Sequence, residues 1–135
     1  MESSIKELAS YRFLKAKEDL KSAESLFNDA NYRLSMNRSY YAVFHAIRSM
    51  NTLAGFDSSK HSGVIAFFNQ TYVKTGVFDK NMSKIIRKTS ECREQADYED
   101  FFVATEETAK EILALSKTFI EVIEKELIKR EIIEK

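Results

Sequence analysis

Proline is absent from the 135 residues, and glycine occurs only three times, at Gly55, Gly63 and Gly76. These two residue types supply most tight connections between short strands. Three glycines cannot serve the many turns of a β-sandwich or barrel, so the chain must be written in a few long elements with few connections, which means helices. Six tyrosines, ten phenylalanines and a formal net charge of zero separate it from charged disordered chains. The length suits one small domain, residues 1–135, with a single core over about 4–125.

Periodicity divides the chain into five helices. Phe13, Ala16, Leu20, Ala23, Phe27 and Ala30 recur at alternating spacings of three and four, predicting an amphipathic helix over roughly 4–29. Asn28, Asp29 and Asn31 are loop and cap formers. A second helix follows over 34–53; it carries no charge from Ser39 to Ile47, which places it in the middle of a bundle. Residues 55–60 form the clearest loop, and 61–73 a short apolar helix ending near Gly76. Asp79 is the expected N-cap of a fourth helix over 80–96. Thr105, followed by Glu106 and Glu107, opens a fifth with Ile112, Leu115, Phe119 and Val122 on its seam. Short connections between such helices predict an all-α, antiparallel bundle of four long helices and one short one. In residues 126–135 the remaining apolar side chains either fray with the helix end or meet another chain, the second being the sharper reading.

The longest run free of Asp, Glu, Lys and Arg is 61–73, well below the ~20 apolar residues of a membrane span. The N-terminus offers neither the basic start nor the apolar run of a secretory signal. Cys92 is the only cysteine and is expected to be inert. A reducing cytoplasm is the expected location. Charge is uneven: residues 31–60 carry four positive and one negative, residues 61–98 six and four, while 99–135 carry six and ten. A basic middle could attract phosphate, and the acidic last helix could mask it or meet a basic partner.

One stripe of the second helix carries reactive groups. Arg38 and His45 are seven positions apart, which puts them about 20° apart around a helix and about 10 Å apart along it. Tyr41 lies between them and Arg48 and Ser49 continue the line, while Tyr40, Phe44 and Ile47 face the core. Arginine offers a fork of donors to phosphate oxygens, and histidine can take and give a proton near neutral pH. Cleavage of RNA by its own 2′-hydroxyl needs those two roles and a second proton carrier, with no metal. Two copies facing across a two-fold axis would supply both base and acid. Spacing alone favours the plainer reading, ion pairs with a neighbouring helix, for which Arg93, Asp97 and Tyr98 mark a candidate segment. His61 either contributes to binding or holds its loop against the bundle. Tyr32, Tyr40, Tyr72 and Tyr98 read as core or interface aromatics. The sequence has no Gly-rich phosphate loop, no paired metal-ligand spacing and no nucleophile elbow, so neither metal nor cofactor is implied.

Four blocks occur in order: Asn37-Arg38-Ser39-Tyr40-Tyr41-Ala42-Val43-Phe44-His45-Ala46, then His61-Ser62-Gly63-Val64 with Phe67 and Phe68, then Tyr72-Val73-Lys74-Thr75-Gly76, then Arg93-Glu94-Gln95-Ala96-Asp97-Tyr98. Over roughly residues 8–125 the chain resembles the HEPN domain proteins (higher eukaryotes and prokaryotes nucleotide-binding), in their small stand-alone form. The resemblance implies a dimerising helical bundle. It also implies an Arg, four to six residues, His motif, catalytic in the ribonuclease members, which Arg38 and His45 match. Ser39 stands where active nucleases often carry Asn, Asp or His. Relatives of this kind are often encoded beside a minimal nucleotidyltransferase as toxin and antitoxin. Two functions therefore stay open. One is a metal-independent endoribonuclease toxin with Arg38 and His45 catalytic and Tyr41, Arg48 and His61 contacting RNA. The other is a non-catalytic module that holds a nucleotide or docks the nucleotidyltransferase.

Overall fold

The computed structural model describes residues 3–135 and is helical throughout, with five helices: α1 (Ser3–Asn28), α2 (Tyr32–Leu53), α3 (His61–Phe68), α4 (Asn81–Tyr98) and α5 (Glu106–Lys129). No strand occurs among the described residues, as the shortage of turn residues requires. No helix there is long and apolar enough to cross a membrane.

Polar staples between helices fix their directions. Ser35 Oγ donates to the Ala23 carbonyl at 2.8 Å and Ser49 Oγ to the Ala9 carbonyl at 2.6 Å; as α2 advances, its partners on α1 recede, so the two helices are antiparallel. Tyr32 meets Glu106 and Ser116 Oγ donates to the Ser39 carbonyl, so α5 runs alongside α2 in the same direction. Asn37 meets Asp97 and Tyr40 meets Arg93, so α4 opposes both. The result is the expected up-down-up-down order. The uncharged α2 is its centre, packed against each of the other four helices. Small residues explain this position: Ser35, Ser39, Ala42, Ala46 and Ser49 are fully buried and let neighbouring backbones approach closely.

The main core joins Phe13 of α1 and Tyr40, Val43 and Ile47 of α2 to Phe68 of α3 and Phe119 of α5. A smaller cluster around Met36, Cys92 and Ile112 closes the other end. Burial pushes the Cys92 thiol above its ordinary pKa, which suits an unreactive packing residue.

Three helices end in one device. After α1, the Asn31 N–H reaches the Leu26 carbonyl and the Ala30 N–H that of Phe27; after α2, Phe56 and Gly55 repeat the pair with Asn51 and Thr52; after α5, Ile132 and Glu131 do so with Leu127 and Ile128. This is the Schellman closure, and it places Ala30, Gly55 and Glu131 at positive φ.

Several details differ from the expected pattern. On α1, Ala9 is buried, Leu20 and Phe27 are half-buried, and Ala30 is exposed in the closing turn. On α5 the buried line runs through Ala109, Ile112, Ser116, Phe119, Ile120, Ile123 and Leu127, leaving Leu115 and Val122 half-buried beside it; contact with both α1 and α2 rotates the face. The segment 61–73 is α-helical only to Phe68 and then widens into a π turn, Asn69–Val73. Asp79 accepts from the Asn81 N–H at 2.8 Å, and α4 starts at Asn81. Near the C-terminus Leu127 is fully buried, while Ile132 and Ile133 pack half-buried against the main core. The bundle itself covers much of the apolar surface of 126–135.

Candidate functional site

The stripe Arg38, Tyr41, His45, Arg48 lies half-buried along α2, beside α1 and the loop before α3. The carboxylate that meets it comes from α1. Arg38 Nη1 donates to Asp19 Oδ1 at 3.2 Å, and His45 Nε2 lies 3.5 Å from Asp19 Oδ2. Asp19 thus spans the two members of the motif. Arg38 also donates to Asn37 Oδ1 from Nε at 3.0 Å and from Nη2 at 2.8 Å, and its guanidinium lies 4.9 Å from the centre of the Tyr41 ring. Such a clamp fixes a planar cation in one orientation. Asn37 Nδ2 donates onward to Asp97 at 3.1 Å. The candidate segment at Asp97 therefore reaches Arg38 only through Asn37, and the ion pair itself is made by Asp19.

His45 is unequal on its two sides. Nε2 faces Asp19, while Nδ1 is buried with no hydrogen-bond partner among the described residues. Burial holds its pKa below the ordinary 6.5 of histidine; Asp19 pulls upward, and Arg48, Lys15 and Arg38 push further down. The neutral imidazole is the favoured form near pH 7.

His61, at the start of α3, joins the same region. Its Nδ1 is 2.9 Å from the Tyr40 hydroxyl and its ring stacks on Phe44 with centroids 4.1 Å apart. Burial lowers its pKa as well, followed by Arg93 and Arg48. Tyr41 sits edge-on to His61 at 5.8 Å and 6.3 Å from His45, and Phe44 also neighbours both histidines. Tyr40, expected in the core, is indeed buried there, yet its hydroxyl reaches the site from behind. Arg93 of α4, also buried, lies 4.7 Å from the Tyr40 ring centre and 5.8 Å from that of Tyr41, with Asp97 as a distant partner at 3.7 Å.

Arg48 is turned to another task. It reaches Asp57 in the loop before α3 at 3.1 Å, and Arg12 of α1 meets the same carboxylate at 2.9 Å. Slight burial would raise the Asp57 pKa, but hydrogen bonds from Arg12 and Arg48 hold it below the usual carboxylate value. The trio ties α1, α2 and the loop together beside His61.

Arg38, Tyr41, His45 and His61 are therefore brought to one site, with Arg48 at its edge. Sequence reasoning missed Asp19 as the partner of the pair, while Arg93 belonged to the segment it had singled out and lies against Tyr40 and Tyr41. The usable signal for Asp19 was the pairing of α1 with α2 through a three-residue connection, which sets residue 19 opposite the Arg38 turn.

The HEPN domain family profile matches residues 9–127. Among curated relatives, a protein of Thermotoga maritima named "UPF0332 protein" is 34% identical over 111 residues, covering 82% of this chain and 84% of that protein. A protein of Methanocaldococcus jannaschii named "Putative toxin MJ0605" is 34% identical, with 83% of each chain covered. A second from that organism, "Putative toxin MJ0142", is 28% identical over 88% of this chain and 81% of its own.

Proposed function

The chain belongs to the HEPN domain family, and on that premise we propose that it is a toxin of a toxin-antitoxin pair, acting as a metal-independent endoribonuclease across a homodimer cleft. The convergence of Arg38 Nη1 and His45 Nε2 on one carboxylate, at 3.2 and 3.5 Å, carries this reading. Two groups that meet one anionic group can equally meet the oxygens of a phosphodiester. Relatives with toxin in their names support the cellular role.

In the proposed reaction neutral His45 takes the proton of the ribose 2′-hydroxyl. The 2′ oxygen bonds to phosphorus while the bond from phosphorus to the 5′ oxygen breaks. The leaving oxygen takes a proton from the imidazolium form of His45 of a second copy, which becomes neutral as the first becomes protonated, giving a 2′,3′-cyclic phosphate end and a 5′-hydroxyl end. Arg38 stabilises the charge that grows on the phosphoryl oxygens. Tyr41 and His61 line the cleft, and Arg48 adds positive charge at its edge. Tyr98 and Phe101, 74% and 96% exposed, lie at and just beyond the end of α4, and Tyr98 flanks Arg93 at 5.9 Å; an apolar surface beside the site supports a second copy seated there.

One observation favours a second reading. Ser39, the residue after the motif arginine, is fully buried, and its carbonyl accepts from Ser116 at 2.7 Å. It cannot serve in the cleft as the polar residue of active nucleases does. That suits a non-catalytic module which holds a nucleotide or docks a minimal nucleotidyltransferase antitoxin.

Labelled RNA incubated with purified protein in EDTA separates the readings. The nuclease reading expects cleavage with 2′,3′-cyclic phosphate ends, and loss of at least 100-fold in rate for His45→Ala, by the usual worth of general acid-base catalysis. Equal cleavage by wild type and variant, or none by either, sinks it.

A further inference from the structure

We propose that Asp19 is an internal occupant of a phosphate seat: its carboxylate fills, in the free protein, the position that a ligand phosphate takes between Arg38 and His45. The inference rests on the reading of that pair as phosphate-facing. Its starting point is geometric. The two oxygens of one carboxylate are divided between Arg38 Nη1 and His45 Nε2, as two oxygens of a phosphate would be. The Asp19 side chain is 17% exposed, against 38% for Arg38 and 21% for His45, so the seat opens to solvent on the Arg38 side.

The second observation concerns which atoms remain free to act. His45 Nδ1 is buried without a partner among the described residues, which leaves Nε2 as the nitrogen able to exchange a proton with a ligand, and Nε2 is the atom that Asp19 covers. Arg38 has its Nε and Nη2 committed to Asn37, and its Nη1 is also on Asp19. One side chain therefore holds both groups of the motif, and a phosphate reaches them by displacing it.

The charges around the seat favour that exchange. Lys15 and Asp19 face His45 from α1, and Arg38 and Arg48 from α2, with Asp57 beyond on Arg48. When Asp19 swings out, Arg38 is left facing the vacated space, with Lys15 and Arg48 near enough for their charge to act on His45, and a phosphate restores the balance. A tethered competitor acts at millimolar or higher effective concentration. It therefore weakens ligands by the fraction of time it occupies the seat.

The test is the affinity of the full chain for inorganic phosphate and for a 2′-deoxy dinucleotide, which cannot be cleaved, at fixed ionic strength. Wild type, Asp19→Asn and the double variant Asp19→Asn/Arg38→Gln are compared. Asparagine keeps the size of the side chain and removes its charge. The proposal expects at least tenfold tighter binding by Asp19→Asn, lost again in the double variant. The His45 imidazole resonance should also titrate at lower pH in Asp19→Asn, since the attraction of the carboxylate is gone. Unchanged or weaker binding by a folded Asp19→Asn overturns it and leaves Asp19 as a strut that positions Arg38. If Asp19→Asn fails to fold, Asp19→Ser is read by the same criteria. Tighter binding without any cleavage of RNA keeps the seat and removes the nuclease, while cleavage without tighter binding does the reverse.

Discussion

Tyr40 and Asp19 show how much one side chain can impose on a site otherwise carried by α2. The Tyr40 hydroxyl holds His61 at 2.9 Å and Asp19 sits 3.5 Å from His45, so each histidine has one assigned neighbour. Both are held below the ordinary histidine pKa of 6.5, chiefly by burial. The sign of the consequence follows from proton counting. Below pH 6.5 the unfolded chain takes up protons that the folded histidines still refuse, so folding stability is fully present above that pH and is lost as pH falls through the lower folded values. Urea midpoints measured from pH 7.5 down to pH 5 should fall, and His45→Gln should flatten that slope. Arg38, Tyr41 and His45 were legible in the sequence because their spacing lies within one helix. Asp19 was not, because its role depends on the packing of α1 on α2, and among the charged residues flanking the α1 seam nothing local marks it out.

At the scale of the element, helix ends carry the more informative chemistry. Ala30 closes α1 with φ of 60°, a conformation that costs a side-chain-bearing residue about 1–2 kcal/mol and glycine almost nothing. Ala30→Gly should therefore raise stability, by roughly 0.5–1 kcal/mol after the extra entropy of glycine in the unfolded chain is counted; a shift in urea midpoint without change in slope would register it. The helices were readable from periodicity, and the Thr105 cap from residue type: its hydroxyl accepts from the Thr108 N–H at 3.1 Å. The π turn after α3 was not, since it inserts a residue into an uncharged run, Asn69–Val73, whose composition looks the same either way. The rotation of the α5 face was equally hidden, because Leu115 and Val122 are more apolar than the Ser116 that wins the interior, and the choice is made by two neighbouring helices.

For the whole molecule, the absence of proline and scarcity of glycine decided the class, and the uncharged second helix decided the centre; both are properties of the entire chain and need no partner to be read. What joins the parts is a set of buried serine staples. Two of them, Ser35 on Ala23 and Ser49 on Ala9, link helices that are neighbours in sequence, while the third, Ser116 on Ser39, spans 77 positions. That difference orders events in time. The α1–α2 hairpin closes a short loop and can form early, whereas docking of α5 must wait for a long one. Removing a buried hydrogen bond costs about 1–3 kcal/mol, and the arm of the chevron on which the loss appears reports when the bond forms. Ser49→Ala should slow refolding and leave unfolding nearly unchanged, whereas Ser116→Ala should speed unfolding and leave refolding nearly unchanged. A helix that sits in the middle of the finished bundle would then also be the first to find its partner.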